Sequence, residues 1–174
     1  MHLIPQTVSL TSLPYWKYLA GQSTCHGEPE PCATPEPWSE VRGAGDSHSP
    51  LKPATTVAIA AGAETMFRSP DHFYADGGFV LVHELGHAVF GYAIPEEQAN
   101  VAAARDASIQ RGHKYGSSIL TNGYNPTEYF AEGTAALFRY AFSDLHVHDY
   151  MPEFLQREEG ELLTILRRVY PGVA

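Results

Sequence analysis

The chain has 174 residues, of which 11 are Lys or Arg and 20 are Asp or Glu, for a formal net charge of −9. These residues suffice for one domain with a real core and leave no room for a second. The acidic balance argues against a nucleic-acid binder, which would present a basic surface, and no apolar run reaches the roughly 18 residues that would span a membrane.

Residues 1–50 are rich in Pro, Gly, Ser and Thr and read as an irregular N-terminal arm with one helix near Leu13 to Ala20, opened by Ser12 and Pro14. Met1-His2-Leu3-Ile4-Pro5 lacks the charged and apolar regions of a signal peptide. Within the arm, Cys25 and Cys32 flank a Pro- and Glu-rich stretch. Zinc-binding cysteine pairs usually sit two to four residues apart, so this wider spacing favours a small disulfide-closed loop, although His26 keeps a metal reading open. A disulfide implies a secreted or extracellular protein whose signal has been removed; a cytoplasmic location is the other possibility.

Thr55 to Ala60 alternates, is β-branched and ends at Gly62, which predicts a strand with an edge on which an extended peptide could pair. A turn-rich approach leads into a helix over residues 77–91. Pro95 opens the next helix, Glu96 to Arg111, with Ala99, Ala102, Ala103 and Ile109 as packing positions. Residues 112–125 read as a loop, Pro126 to Phe142 as a helix, and Pro152 to Val169 as a last helix with a broad apolar face of Phe154, Leu155, Leu162, Leu163, Ile165 and Leu166. There are no internal repeats. The sum is an α+β domain, mostly helical, with a small sheet.

The chemistry concentrates in His83-Glu84-Leu85-Gly86-His87. Side chains at i and i+4 stand on one face of an α-helix, so His83 and His87 can grip one metal ion, while Glu84 lies about a quarter turn away, placed to act as general base on a water. Phe79 to Val82 and Ala88 to Phe90 make the surrounding helix strongly apolar, where unpaired imidazoles would be costly to bury. Gly86 lets another segment approach closely. A catalytic zinc site takes three protein ligands and keeps a position open. Glu128 is the candidate third ligand, in the first turn of a helix that Asn125 caps and Pro126 opens. Glu132 lies one turn on. Either carboxylate could reach the metal, and the other could accept the free ring N–H of a ligating histidine.

These residues, with Asn125-Pro126-Thr127-Glu128-Tyr129-Phe130-Ala131-Glu132-Gly133 as the second motif, resemble the gluzincin-type metallopeptidases of the anthrax lethal factor and Pro-Pro endopeptidase group. They are more similar still to small secreted bacterial and fungal zinc peptidases with an EYFAE motif. The stretch Trp38 to Gly45, the strand through Ile59 and the tail from Pro152 to Val169 share the likeness. The resemblance implies a zincin-like catalytic domain, Zn2+ held by His83, His87 and Glu128, and Glu84 as general base. It also implies a tyrosine oxyanion donor seven positions before Glu128. That position is Thr121, so Tyr124 or Tyr115 in the same loop would have to reach the site.

The expected function is therefore zinc-dependent endopeptidase action on a peptide or protein substrate by a monomer. The alternatives are a zinc enzyme of the same fold acting on a specialised small molecule or modified peptide, and a catalytically silent peptide-binding relative. His146 and His148 are expected as surface or loop histidines.

Overall fold

The computed structural model describes residues 1–24, 36–46, 58–63, 78–112, 125–138 and 152–173. Across them the chain forms strands β1 (His2–Ile4), β2 (Gly43–Asp46) and β3 (Ala58–Gly62). The helices are α1 (Phe79–Phe90), α2 (Pro95–Gln110), α3 (Pro126–Leu137), α4 (Pro152–Glu158) and α5 (Gly160–Val169). The fold is α+β. No helix among the described residues is long and apolar enough to cross a membrane.

The sheet has the order β1-β3-β2. β1 runs parallel to β3, with Leu3 opposite Ala61, and β2 runs antiparallel, with Ala44 opposite Ala60. Of the strand expected over Thr55 to Ala60 and ending at Gly62, the described part, Ala58–Gly62, is thus the central one, and the expectation that it offers an edge is corrected: among the described residues the edges belong to β1 and β2. A small-residue strand, Ala-Ile-Ala-Ala-Gly, buried at nearly every position, suits a strand with neighbours on both sides.

The described residues of the N-terminal arm are mostly turns, but they are built into the domain. Ile4, Leu10, Trp16 and Leu19 form a core with Ala44, Ala58 and Ala60. Arg42 ties the arm down, its guanidinium donating to the carbonyls of Val8 (2.8 Å), Ile4 (3.0 Å) and Pro5 (3.1 Å). The helix expected at 13–20 is instead a pair of short 3-10 turns, Leu10–Ser12 and Lys17–Leu19, and the buried Leu10, Trp16 and Leu19 of this stretch pack into the core.

The larger core joins the four helices α2 to α5 around Val101, Tyr129, Phe130, Leu155, Leu162 and Leu166. α3 lies at its centre, buried at every residue from Tyr129 to Leu137. On α2 the buried stripe is Val101, Ala104 and Ser108, not the predicted face: Ile109 is 47% exposed. The expected single C-terminal helix is interrupted at Glu159, whose backbone (φ −126°, ψ 45°) leaves the helical region. Its apolar face is as predicted, with Leu155, Leu162, Leu163, Ile165 and Leu166 all buried.

Two close approaches position the site. A Cβ on Gly86 would lie 2.6 Å from Ala131 Cα, so α1 and α3 touch backbone to backbone there. A Cβ on Gly43 would lie 2.5 Å from Glu84 Oε1, and one on Gly45 would overlap the Glu84 carbonyl. β2 therefore runs directly against the middle of α1, which only residues without side chains on that face allow.

Candidate metal centre

α1 carries His83 and His87 one turn apart, and their Nε2 atoms come within 3.0 Å of one another. The rings meet edge to face, with centroids 4.7 Å apart. α3 brings Glu128 onto the same spot: Oε2 is 3.2 Å from His83 Nε2, and Oε1 is 3.3 Å from His87 Nε2. The backbone of Glu128 is fixed locally, because its N–H donates to Asn125 Oδ1 at 2.8 Å, the capping bond that Asn-Pro at a helix start predicts.

Glu84 flanks the pair. His83, Glu84 and His87 each offer a ligand atom within 4.8 Å of the others, and this group could hold a metal ion. Glu84 is buried, 9% exposed, beneath Gly43 and Gly45 of β2. The Gly45 N–H bonds its carboxylate.

Glu132 takes the opposite side of His83. It is 2% exposed, and its Oε1 lies 3.7 Å from His83 Nδ1. That separation is too long for a hydrogen bond, and Nδ1 is buried without a hydrogen-bond partner. His83 thus has a carboxylate at each ring nitrogen, and the choice that spacing left open between Glu128 and Glu132 is divided by geometry: Glu128 meets both Nε2 atoms and Glu132 stands behind one ring.

The electrostatics follow from three carboxylates around two imidazoles in a buried place. For His83, burial is the largest single influence and disfavours charge. The hydrogen bond from Glu128 and the charges of Glu132, Glu128 and Glu84 together outweigh it and raise the pKa to about 10. His87 is raised in the same way, burial opposing and Glu128 prevailing. Burial also pushes Glu128 upward, but the two imidazoles hold it well below the usual carboxylate range. Glu84 is raised, because burial outweighs the pull of His87 and His83. The site holds anionic donors and favours positive charge at the two Nε2 atoms, which is the charge pattern a divalent cation needs.

Tyr124, Tyr115 and Thr121, expected to bear on an oxyanion donor, lie outside the described residues, as do Cys25, Cys32, His26, His146 and His148. The glycines of β2 entered the sequence reading only as part of a resemblance. Their physical signal is the spacing: residues two apart on a strand face the same way, so Gly43 and Gly45 leave one face of β2 bare.

Compared with protein-family models, curated proteins and solved structures, the chain matches none.

Proposed function

We propose that this protein is a zinc-dependent metalloendopeptidase, with His83, His87 and Glu128 as metal ligands and Glu84 as general base. The observation that carries the reading is the meeting of the two imidazole Nε2 atoms and the Glu128 carboxylate at 3.0 to 3.3 Å. Donors held 2.0–2.1 Å from one tetrahedral zinc ion stand about 3.3 Å apart, close to these separations, with one Glu128 oxygen turned toward each imidazole. Two imidazoles and one carboxylate are also a ligand set found in catalytic zinc sites with an open position. The motifs of the two helices support the same family of peptidases.

When bound, zinc supplies Lewis acidity and a water that ionises near neutral pH. The rest falls to the chain. His83 and His87 offer neutral Nε2 atoms, which puts the remaining proton of His83 on Nδ1, facing Glu132. Glu132 is the carboxyl group nearest that proton, and by closing the 3.7 Å gap it would orient the ring and strengthen it as a donor. Glu84 accepts the proton of the attacking water and returns it to the leaving amine. Burial raises its pKa above the ordinary carboxylate value, which makes it a stronger base toward that water. Gly45 N–H keeps the carboxylate aimed while it does so. Tyr124 is the proposed donor to the developing oxyanion, and a disulfide between Cys25 and Cys32, which their spacing in the sequence favours, would fit an extracellular setting.

Incubation of the zinc-loaded chain with a mixed peptide library, beside Glu84→Ala, tests the reading. Cleavage by the parent chain and none by the variant is the expected result. Absence of cleavage at full zinc occupancy would move the assignment to a zinc enzyme with a more specialised substrate.

A further inference from the structure

One carboxyl group outside the metal centre is also buried away from solvent. Glu159, with no exposure, sits at the break between α4 and α5. Tyr129 Oη donates to its Oε2 at 2.6 Å and Ser108 Oγ to its Oε1 at 2.6 Å, while the Arg111 guanidinium lies 3.3 Å from Oε2. Its own backbone N–H reaches Leu155 O at 3.0 Å, and its carbonyl accepts from Leu163 at 2.9 Å. Donors from α2 and α3 therefore converge on one group at the helix break.

Stability alone is a poor reason for this arrangement. Taking a carboxyl group out of water is costly, and a well-packed apolar side chain of similar volume often does as well or better. Short hydrogen bonds to a buried carboxyl group supply something packing does not, a fixed position for each donor. Tyr129 is the informative donor, because it follows Glu128 directly in the first turn of α3. That turn is held at its backbone by Asn125, which accepts from Glu128 N–H at 2.8 Å and from Tyr129 N–H at 3.1 Å. The Tyr129–Glu159 bond holds the same turn by its side chain.

We infer that Glu159 is a positioning residue for the metal centre: by holding Tyr129 Oη it sets the rotation of the first turn of α3, and with it the seat of Glu128 between His83 and His87. The inference rests on the reading of Glu128 as a metal ligand. A rotation of α3 about its own axis would carry Glu128 past the two Nε2 atoms, and the phenol, a long lever buried at its far end, resists it. Ser108 and Arg111 in turn hold Glu159.

The test is the zinc affinity of the full chain, measured by competition with a chromophoric chelator, for the parent, Tyr129→Phe, Glu159→Gln and Glu159→Leu, and for Tyr129→Phe in a Glu128→Ala background. Loss of a group that orients a ligand typically costs about 10- to 100-fold in metal affinity, and Tyr129→Phe is expected in that range. In the Glu128→Ala background the same substitution is expected to change affinity little, since the group it positions is gone. Glu159→Gln, which keeps an acceptor for the phenol, should bind zinc more tightly than Glu159→Leu. Unchanged affinity in Tyr129→Phe, an equal loss without Glu128, or equal affinities for the Gln and Leu variants would overturn the inference while leaving the zinc site intact. A parent chain that binds no zinc would remove the inference and the proposed function together.

Discussion

Glu132 faces the ring nitrogen of His83 that points away from Glu128, its Oε1 3.7 Å from Nδ1, with Glu132 and the Nδ1 atom both buried at the contact of α1 and α3. One imidazole thus stands between two carboxylates. If His83 ligates through Nε2, its Nδ1–H has an acceptor waiting. Glu132→Gln removes the charge and nearly preserves the shape. It should weaken zinc binding by about 10- to 100-fold while the metal-free fold survives, as read by chelator competition and circular dichroism. Undiminished zinc affinity would show that Glu132 has no hold on the ring.

Glu84 and the ligands are expected to separate cleanly on mutation. Glu84→Gln should leave zinc bound and reduce turnover by 10²-fold or more, the usual scale of a lost general base. Zinc analysis and single-turnover kinetics on the same preparation check both halves, and loss of zinc from a folded variant would recast Glu84 as a ligand.

The pKa shifts predict opposite pH behaviour with and without metal. In the metal-free protein, the raised pKa of His83 contributes stability that is complete below its ordinary 6.5 and lost as pH rises through about 10. His87 acts in the same direction, and the raised Glu84 also makes the fold less stable as pH rises. Glu128, held well below 4.5, contributes stability above that value which is lost as pH falls. For this cluster the metal-free optimum therefore lies between about 4.5 and 6.5. Zinc competes with protons for Nε2, so the melting-temperature gain on adding zinc should grow from pH 5 to pH 8. Thermal unfolding across that range, with and without zinc, provides the comparison; a gain that does not vary with pH would contradict direct imidazole ligation.

The backbone contacts around α1 make a separate prediction about the fold. Gly86→Ala would set a methyl 2.6 Å from Ala131 Cα and push α1 from α3, costing about 1–3 kcal/mol as overpacking does. Gly45→Ala should be at least as harmful, because its Cβ would overlap the Glu84 carbonyl. By contrast, Gly160→Ala meets nothing within 4 Å and serves as the control. Denaturant unfolding of the three variants would order them, and a tolerated Gly86→Ala would mean the helices can separate freely.

What could be read in advance was local. The helix with His83 and His87 and the start of α3 are written in apolar periodicity and in Asn125-Pro126, signals that span a few residues. The pairing of residues 2–4 with 60–62 was not legible, because it joins distant segments and His2-Leu3-Ile4 is too short to show a period. The face of α2 was misplaced for another reason. Its alanines are spread around the helix, and the residue that decides its orientation is polar: Ser108 is buried because it bonds Glu159 across the core. Glu159 precedes Gly160, a residue that favours a helix break, but nothing in Glu158-Glu159-Gly160-Glu161 marks this glutamate as the buried one. Within the candidate site, the i, i+4 spacing placed the two histidines together. It could not say which carboxylate of α3 would stand at which ring nitrogen, since that depends on the helix crossing at Gly86.

The most direct measurement is the zinc content of the purified chain after dialysis against metal-free buffer, taken beside His83→Ala and Glu128→Ala. The account predicts one equivalent in the parent and a large loss in both variants. No retained zinc in the parent, or the same content in all three, would contradict it.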